Sequence, residues 1–315
     1  MRAAVVKNFS LAPQYEDDYA NPLPKKDEVL IHVTASALSN RARSDANGSH
    51  YAAEDRLPMI PGVDGVGVLP NGNKVFFVSN GSFAEQVAVA SGHWVTMANE
   101  LKDEKIAGMM NPALSSWLAL QYRANFKKGQ KVLILGATGN AGSMAVQIAK
   151  RLGAASIVAV GRNTRQLAEL QRLGATQTIA LGADVKAYQK ELAQAGQDVD
   201  IVLDYLWGDV TAHAMQAIIP NRLYDEQELK WVEIGSSAGQ TAPIPGAAFR
   251  AVKLQLIGSG QGSVGVQAIL KSFEEILQAE QKSPFEFNVR AVMLSQIESV
   301  WDKQSGERFV FLPHA

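Results

Sequence analysis

A glycine-rich loop between an apolar strand and an amphipathic helix constrains the fold of this chain more than any other feature. The run Val132-Leu133-Ile134-Leu135 precedes the loop, and apolar side chains recur every four residues along the helix that follows. Glycines let a backbone turn tightly and approach a pyrophosphate, while a helix N-terminus offers unpaired N–H groups and a partial positive charge. An ordinary strand–turn–helix is the alternative. The residues predicted to hold a dinucleotide pyrophosphate are Gly136, Ala137, Thr138, Gly139, Asn140, Ala141 and Gly142.

Apolar strands and helices alternate from this loop onward. The strands are predicted at 131–135, 156–160, 176–180, 200–204, 231–235 and 254–258. Such alternation indicates a doubly wound parallel sheet, and six strands fit the dinucleotide-binding arrangement. The first hundred residues instead show short strands separated by Pro-Gly, Asn-Gly and Ser-Gly turns, which are typical of a compact β-rich unit. The predicted fold class is therefore α/β, with a β-rich domain over 1–112 and 263–315 and a dinucleotide-binding domain over 113–262.

The end of the second strand of this sheet indicates which cofactor is preferred. An NAD site places Asp or Glu there to hold the adenosine ribose hydroxyls. Here the strand ends in Gly161-Arg162-Asn163, so Gly161 leaves space and Arg162 can pair with a 2′-phosphate. We therefore expect NADPH to be preferred over NADH. The alternative is that Arg162 is a solvated residue at a helix start and Asn163 only its N-cap.

The composition narrows the class of protein further. Thirty basic and 31 acidic side chains leave a formal charge of −1, which gives no electrostatic basis for nucleic-acid binding. Because cysteine is absent, the chain has no disulfide, no thiolate nucleophile and no cysteine-based zinc site. No uncharged stretch holds the ~20 predominantly apolar residues of a membrane span, and the N-terminal apolar run is too short for a signal peptide. We expect a cytoplasmic protein.

Further motifs stand in order along almost the whole chain. They are DEVLIHV at 27–33, PMIPGVDGVG at 58–67, GSFAE at 81–85 and GERFV at 306–310. Together with the glycine loop, they resemble the zinc-independent quinone oxidoreductase branch of the medium-chain dehydrogenases/reductases. The resemblance implies a GroES-like catalytic domain, a Rossmann domain, and NADPH bound in the cleft between them.

The resemblance also implies where the site residues lie. Ala42 and Val63 occupy positions at which zinc-dependent relatives carry Cys and His, so no metal is expected. Asn40 and Tyr51 match the stretch that walls the substrate pocket and are the candidate catalytic residues, with a turn Asn and a surface Tyr as the alternatives. Asp64 is expected to stabilise a turn rather than to catalyse. The remaining candidate cofactor contacts are Ser115, Tyr205, Gly235, Ser236, Gly258 and Ser259.

These features predict an NADPH-dependent oxidoreductase that transfers hydride to a quinone, enone or similar electrophile. Hydride delivery to such an acceptor gives a delocalised anion, so hydrogen-bond donors can replace a metal. An enoyl-thioester reductase and a catalytically weak NADPH-binding protein are the alternatives. The apolar strand at 254–258 is expected at a sheet edge, where it would pair with a second copy of the chain to form a homodimer.

Overall fold

The computed structural model describes residues 1–50, 56–260, 262–303 and 306–314. The chain forms two compact units, one of Met1–Asn111 with Phe273–Ala315 and the other of Pro112–Ser272. No helix among the described residues is both long enough and apolar enough to span a membrane. The candidate catalytic residue Tyr51 lies outside the described residues.

The first unit is built on a mixed seven-stranded sheet. The first two strands of the unit form a separate antiparallel pair. In the seven-stranded sheet, the third, fourth, fifth and seventh strands follow in the order of the chain, and the sixth pairs with the third. The strands in this part are β1 (Ala3–Val5), β2 (Gln14–Glu16), β3 (Glu28–Ala37), β4 (Asp64–Val68), β5 (Lys74–Val78), β6 (Gln86–Ala90) and β7 (Trp94–Thr96). The helices that begin here are α1 (Asn40–Ala46) and α2 (Asp103–Leu118), which continues as a π-helical turn, Ala119–Arg123.

The long strand β3 is the centre of the first unit. It pairs antiparallel with β4, and further along its length with β6. Its residues alternate between buried and more exposed around Ile31-His32-Val33, which is the pattern of a sheet with one face toward a core. Buried side chains from β3, β5 and β6 form that core: Ile31, Val33, Val75, Phe77, Val87 and Val89.

The second unit is the predicted six-stranded parallel sheet. Its strand order is β10-β9-β8-β11-β12-β13, and each neighbouring pair is parallel. The strands are β8 (Lys131–Leu135), β9 (Ser156–Gly161), β10 (Gln177–Ala180), β11 (Ile201–Asp204), β12 (Leu229–Glu233) and β13 (Leu254–Gly258). The helices are α3 (Asn140–Leu152), α4 (Thr164–Leu173), α5 (Val185–Ala195), α6 (Gly208–Ile218) and α7 (Ala248–Ala251).

The remaining elements are α8 (Val266–Lys282), β14 (Val289–Met293), α9 (Ile297–Val300) and β15 (Arg308–Leu312). Strand β15 joins the sheet of the first unit antiparallel to β3, and β14 pairs parallel with β15. The C-terminal strands therefore belong to the same sheet as the N-terminal ones.

Two predictions about single elements differ from the structure. The strand predicted at 231–235 lies two residues earlier, as β12 at Leu229–Glu233. Helix α2 is not predicted from the sequence, because it contains Pro112, a residue that usually ends a helix.

Candidate functional site

The glycine loop lies between β8 and α3 and is fastened to the neighbouring strand β9. The amides of Gly136 and Ala137 both donate to the carbonyl of Val160, each at 2.9 Å. Gly136 has a φ of +86°, a conformation that side chains with a Cβ rarely adopt. The amide of Gly139 donates back to the Gly136 carbonyl at 3.1 Å. The loop is therefore a tight turn at the carboxyl end of the sheet.

Helix α3 begins directly at this turn. Its first intrahelical hydrogen bond runs from the amide of Ser143 to the carbonyl of the N-cap, Gly139. The amides of Asn140, Ala141 and Gly142 therefore have no acceptor within the helix. A Cβ on Gly142 would overlap the Gly136 carbonyl, so only glycine permits this approach of helix to loop. The three amides and the positive end of the helix dipole fit the pyrophosphate of a dinucleotide.

The end of β9 differs in one respect from the expectation. Arg162 and Asn163 are exposed, and the Asn163 side chain caps α4 by accepting from the Gln166 amide at 3.1 Å. Gly161, however, does not leave open space. A Cβ built on it would lie 2.5 Å from Cγ2 and 2.6 Å from Oγ1 of Thr138, so the space expected to be free is filled by the loop's own side chain.

Tyr205 lies at the end of β11, beside the glycine loop. A Cβ on Gly136 would be 3.2 Å from Cβ of Tyr205. The phenol oxygen lies 3.2 Å from Oγ of Ser115, and that hydroxyl in turn donates to the Pro112 carbonyl. Burial raises the pKa of Tyr205 to about 12, so the phenol stays protonated at neutral pH. The structure thus brings together three predicted cofactor contacts, Ser115, Gly136 and Tyr205.

The carboxylate of Asp204 holds this strand end in shape, and sequence reasoning missed its role. One oxygen accepts from the amides of Leu206 and Trp207, at 2.9 and 3.0 Å. The other accepts from Oγ1 of Thr211 at 2.6 Å and from Nε1 of Trp231 at 2.9 Å. Both oxygens of this buried carboxylate therefore accept two hydrogen bonds each. Trp207 has a φ of +55°, an uncommon conformation for a residue other than glycine, and the Asp204 bond to its amide supports it.

The predicted contacts on the last two strands lie at increasing distance from the loop in the order of the sheet. Gly235 follows β12 and donates its amide to the Asp204 carbonyl at 3.2 Å, beside Tyr205. Ser236 accepts from the amide of Gly239 through its own carbonyl. Gly258 is the last residue of β13 and Ser259 follows it; β13 is separated from β8 by β11 and β12.

Arg123 is a second residue that sequence reasoning missed. Its Nε donates to the Gly258 carbonyl at 2.7 Å, and its Nη1 donates to the carbonyl of Ser263 at 3.3 Å. The guanidinium therefore fastens the chain just after β13 on both sides of residue 260.

In the first unit, the candidate catalytic residue Asn40 is the exposed first residue of α1. The N-cap of that helix is Ser39, whose hydroxyl accepts from the Ala42 amide at 2.9 Å. Ala42 is fully buried. Within the described ranges, no three His, Cys, Asp or Glu side chains group closely enough to hold a metal ion.

Asp64 is the buried first residue of β4. Its side chain lies near that of Asn111. Burial raises the pKa of Asp64 to about 6, although the nearby Arg308 guanidinium opposes this shift. Burial likewise lowers the pKa of Arg308 to about 10. In the sequence, Asp64 and Arg308 each stand directly before an apolar segment, at 65–68 and 309–312. No local pattern indicates that these two charged residues lie near each other.

Comparison with known proteins gives consistent results. The family model described as zinc-binding dehydrogenase matches residues 141–221. A probable NADPH-dependent quinone reductase of Emericella nidulans is 26% identical over 363 residues, which cover 99% of this chain and 100% of the relative. The quinone oxidoreductase of Homo sapiens is 32% identical over 187 residues, 54% of this chain and 56% of the relative.

Solved structures share the fold along the whole chain. The quinone oxidoreductase of Thermus thermophilus, which was also solved in complex with NADPH, has a TM-score of 0.83 and 24% identity, covering 99% of this chain and 100% of that one. The glycine loop, the six-stranded parallel sheet, the family model and the full-length relative agree. The chain is similar along its whole length to a quinone reductase, and it shares the fold of solved quinone oxidoreductases.

Proposed function

We propose that this protein is an NADPH-dependent oxidoreductase that reduces a quinone, an enone or a similar electrophile without a metal. The observation that carries the proposal is the glycine loop, which leaves the amides of Asn140, Ala141 and Gly142 without an acceptor in the helix that follows it. The full-length relative described as an NADPH-dependent quinone reductase supports the same cofactor.

The residues of the second unit would bind and orient the cofactor. The three amides bind the pyrophosphate, and Arg162 pairs with the 2′-phosphate. Ser115 and the protonated Tyr205 phenol, which are hydrogen-bonded to each other, offer hydroxyl groups beside the loop. Gly235, Ser236, Gly258 and Ser259 complete the proposed contacts at the carboxyl ends of β12 and β13. When bound, NADPH supplies the hydride and leaves as NADP⁺.

The absence of metal ligands at Ala42 and Val63 fits an acceptor whose anion is delocalised. A quinone or enone that gains a hydride carries its negative charge over several atoms, and one proton then completes the reduction. We place Asn40 as a hydrogen-bond donor to substrate or cofactor and Tyr51 as the residue that stacks on the substrate or donates the proton. We also propose that the protein acts in the cytoplasm as a homodimer.

The test follows the loss of NADPH absorbance with a panel of quinones, enones and enoyl thioesters. We expect turnover with quinones or enones, and the same rate after exhaustive chelation and dialysis. Gly142→Val should abolish NADPH binding, because its side chain overlaps the Gly136 carbonyl, while Gly182→Val, at a position with open space around it, should not. Turnover confined to enoyl thioesters, binding without turnover, or loss of activity with removed zinc would each contradict the proposal.

A further inference from the structure

Thr138 and Gly161 are in contact, although they belong to different elements and are far apart in the sequence. Gly161 is buried and Thr138 is half-buried. A Cβ on Gly161 would lie 2.5 Å from Cγ2, 2.6 Å from Oγ1 and 3.1 Å from Cβ of Thr138. Both heavy atoms on the Thr138 Cβ therefore face the position from which a side chain at residue 161 would start.

Rotation of the Thr138 side chain cannot clear this position. A threonine Cβ carries two heavy atoms and one hydrogen, and two of these three substituents face Gly161. Any staggered rotation leaves at least one of the heavy atoms on the facing side.

The backbone cannot clear it either without losing hydrogen bonds. The amides of Gly136 and Ala137 hold the loop to the carbonyl of Val160, the residue before Gly161. On the other side, the Gly161 carbonyl accepts from the amide of Leu181 at 2.8 Å, and Gly161 pairs with Ala180 in the sheet. Loop and strand are thus fixed to each other within one residue of the contact.

We propose that Thr138 is a specificity-determining residue that excludes an acidic side chain from position 161. An NAD site needs a carboxylate at the end of this strand to bind the ribose hydroxyls. With Thr138 in place, a carboxylate at 161 has no room for its first carbon. The preference for NADPH then depends on two residues. The Thr138 side chain leaves no room for the carboxylate that an NAD site needs, and the charge of Arg162 favours the 2′-phosphate. This inference rests on the proposed function.

The experiment measures melting temperature and the dissociation constants of NADH and NADPH, by nicotinamide fluorescence, in a set of variants. Gly161→Asp alone should lower the melting temperature and weaken NADPH, without tighter binding of NADH than in the parent. Thr138→Gly/Gly161→Asp should bind NADH at least ~10-fold tighter than Gly161→Asp does, the value of a hydrogen bond to a carboxylate. Thr138→Val/Gly161→Asp is the matched control. Valine keeps two heavy atoms on Cβ and loses only the hydroxyl, so this variant should bind NADH no more tightly than Gly161→Asp does.

A neutral methyl group tests the contact without cofactor. Gly161→Ala should lower the melting temperature in the parent, and lower it much less in the Thr138→Gly background. The role of Thr138 would be overturned by any of three results: tighter NADH binding by Gly161→Asp alone, tighter NADH binding by the valine variant, or equal effects of Gly161→Ala in both backgrounds. In each case, NADPH binding by the parent would still support the proposed function. A parent that binds no NADPH would refute the proposed function, and with it this inference.

Discussion

At the end of β9, the Arg162 side chain is exposed and has no hydrogen bond or ion pair within the described part of the chain. Arg165, three residues further on and also exposed, is equally unpaired there. Two free guanidinium groups therefore stand near the N-terminus of α4, but only Arg162 directly follows the strand. Position, rather than charge alone, makes Arg162 the candidate for the 2′-phosphate.

Replacement of Arg162 tests this assignment. A hydrogen bond to a charged group contributes about 1.5–3 kcal/mol, so Arg162→Ala should weaken NADPH about 10- to 100-fold and leave NADH almost unchanged. Arg165→Ala is the matched control and should change NADPH binding only slightly. Dissociation constants from nicotinamide fluorescence provide the measurement. Equal weakening of both cofactors by Arg162→Ala, or equal effects of the two arginine variants, would show that Arg162 contributes only general charge.

The buried residues Asp64 and Arg308 carry opposite charges in the first unit. Atom Oδ1 of Asp64 and atoms Nε and Nη2 of Arg308 have no hydrogen-bond partner among the described residues. Burial disfavours each charged form, which is why the pKa of the acid rises and the pKa of the base falls. The pair therefore costs stability at neutral pH that the rest of the fold must offset.

This cost predicts a pH dependence. The Asp64 carboxyl has a pKa of about 6 when folded, against an ordinary value of 3.8, so the folded state binds its proton more tightly. The stability from this group is complete below pH 3.8 and is lost as the pH rises to about 6, by about 3 kcal/mol at ~1.4 kcal/mol per pKa unit. In denaturant titrations across this range, the free energy of unfolding of the parent should fall, relative to that of Asp64→Asn, as the pH rises.

The exposed Asp18 in the same unit provides the control. Asp18→Asn should keep the pH profile of the parent, because an exposed carboxylate loses little solvation on folding. Identical profiles for the parent and Asp64→Asn would contradict the assignment of a raised pKa to Asp64.

On the scale of elements, the side chain of Asp204 connects the end of β11 and the start of α6 with β12. The carboxylate joins the amides of the β11–α6 turn, a hydroxyl on α6 and the Trp231 indole of β12. The same turn carries Tyr205, which lies beside the glycine loop. The Asp204 carboxylate therefore supports this side of the candidate site through four hydrogen bonds.

Asp204→Asn should disturb that shape. The new amide nitrogen would face either the Trp231 N–H or the loop amides, and a buried donor without an acceptor costs about 1–3 kcal/mol. Asp209→Asn removes the same charge from an exposed position on α6 and should change stability by no more than about 0.5–1 kcal/mol. Urea unfolding and NADPH binding provide the measurements. Equal stability of the two variants would show that the Asp204 hydrogen bonds contribute little.

On the scale of the whole molecule, β13 stands at the edge of the parallel sheet. Its amides alternate in direction. Ser259 donates inward to the Glu233 carbonyl, so the amides of residues 256 and 258 point outward, while the Leu254 amide donates to the Val252 carbonyl at 2.8 Å. Leu254, Leu256 and Ile257 are only half-buried. An unpaired apolar edge favours pairing with a second chain, which is the basis of the proposed homodimer.

Gly258→Pro should weaken that dimer. The ring removes one outward N–H from each copy, and a side chain at Gly258 meets nothing within 4 Å in the chain itself. Gly258→Ala adds atoms to the same space but keeps the N–H, so it should remain as dimeric as the parent. Light scattering over a range of concentrations gives the mass. A monomeric parent at micromolar concentration would refute the dimer, and equal masses for both variants would exclude this edge.

The parallel sheet and the glycine loop could be predicted from the amino-acid sequence, because both depend on local patterns. Continuous apolar runs such as 132–135 predict buried strands, and the six-stranded sheet is confirmed. The turn at Gly136 and the helix start at Gly139 follow from residues that are neighbours in the chain. The helix containing Pro112 could not be predicted in the same way, because its local signal indicates a break.

The contacts between residues far apart in the chain became visible only in the folded structure. Thr138 fills the space beside Gly161, Asp64 is buried near Arg308, and Trp231 donates to Asp204. None of these pairs has a local pattern, since the distance between the partners depends on how strands are ordered and how loops are fastened to them. A glycine in a sequence indicates a missing side chain, but whether that leaves open space depends on which residue the fold brings next to it.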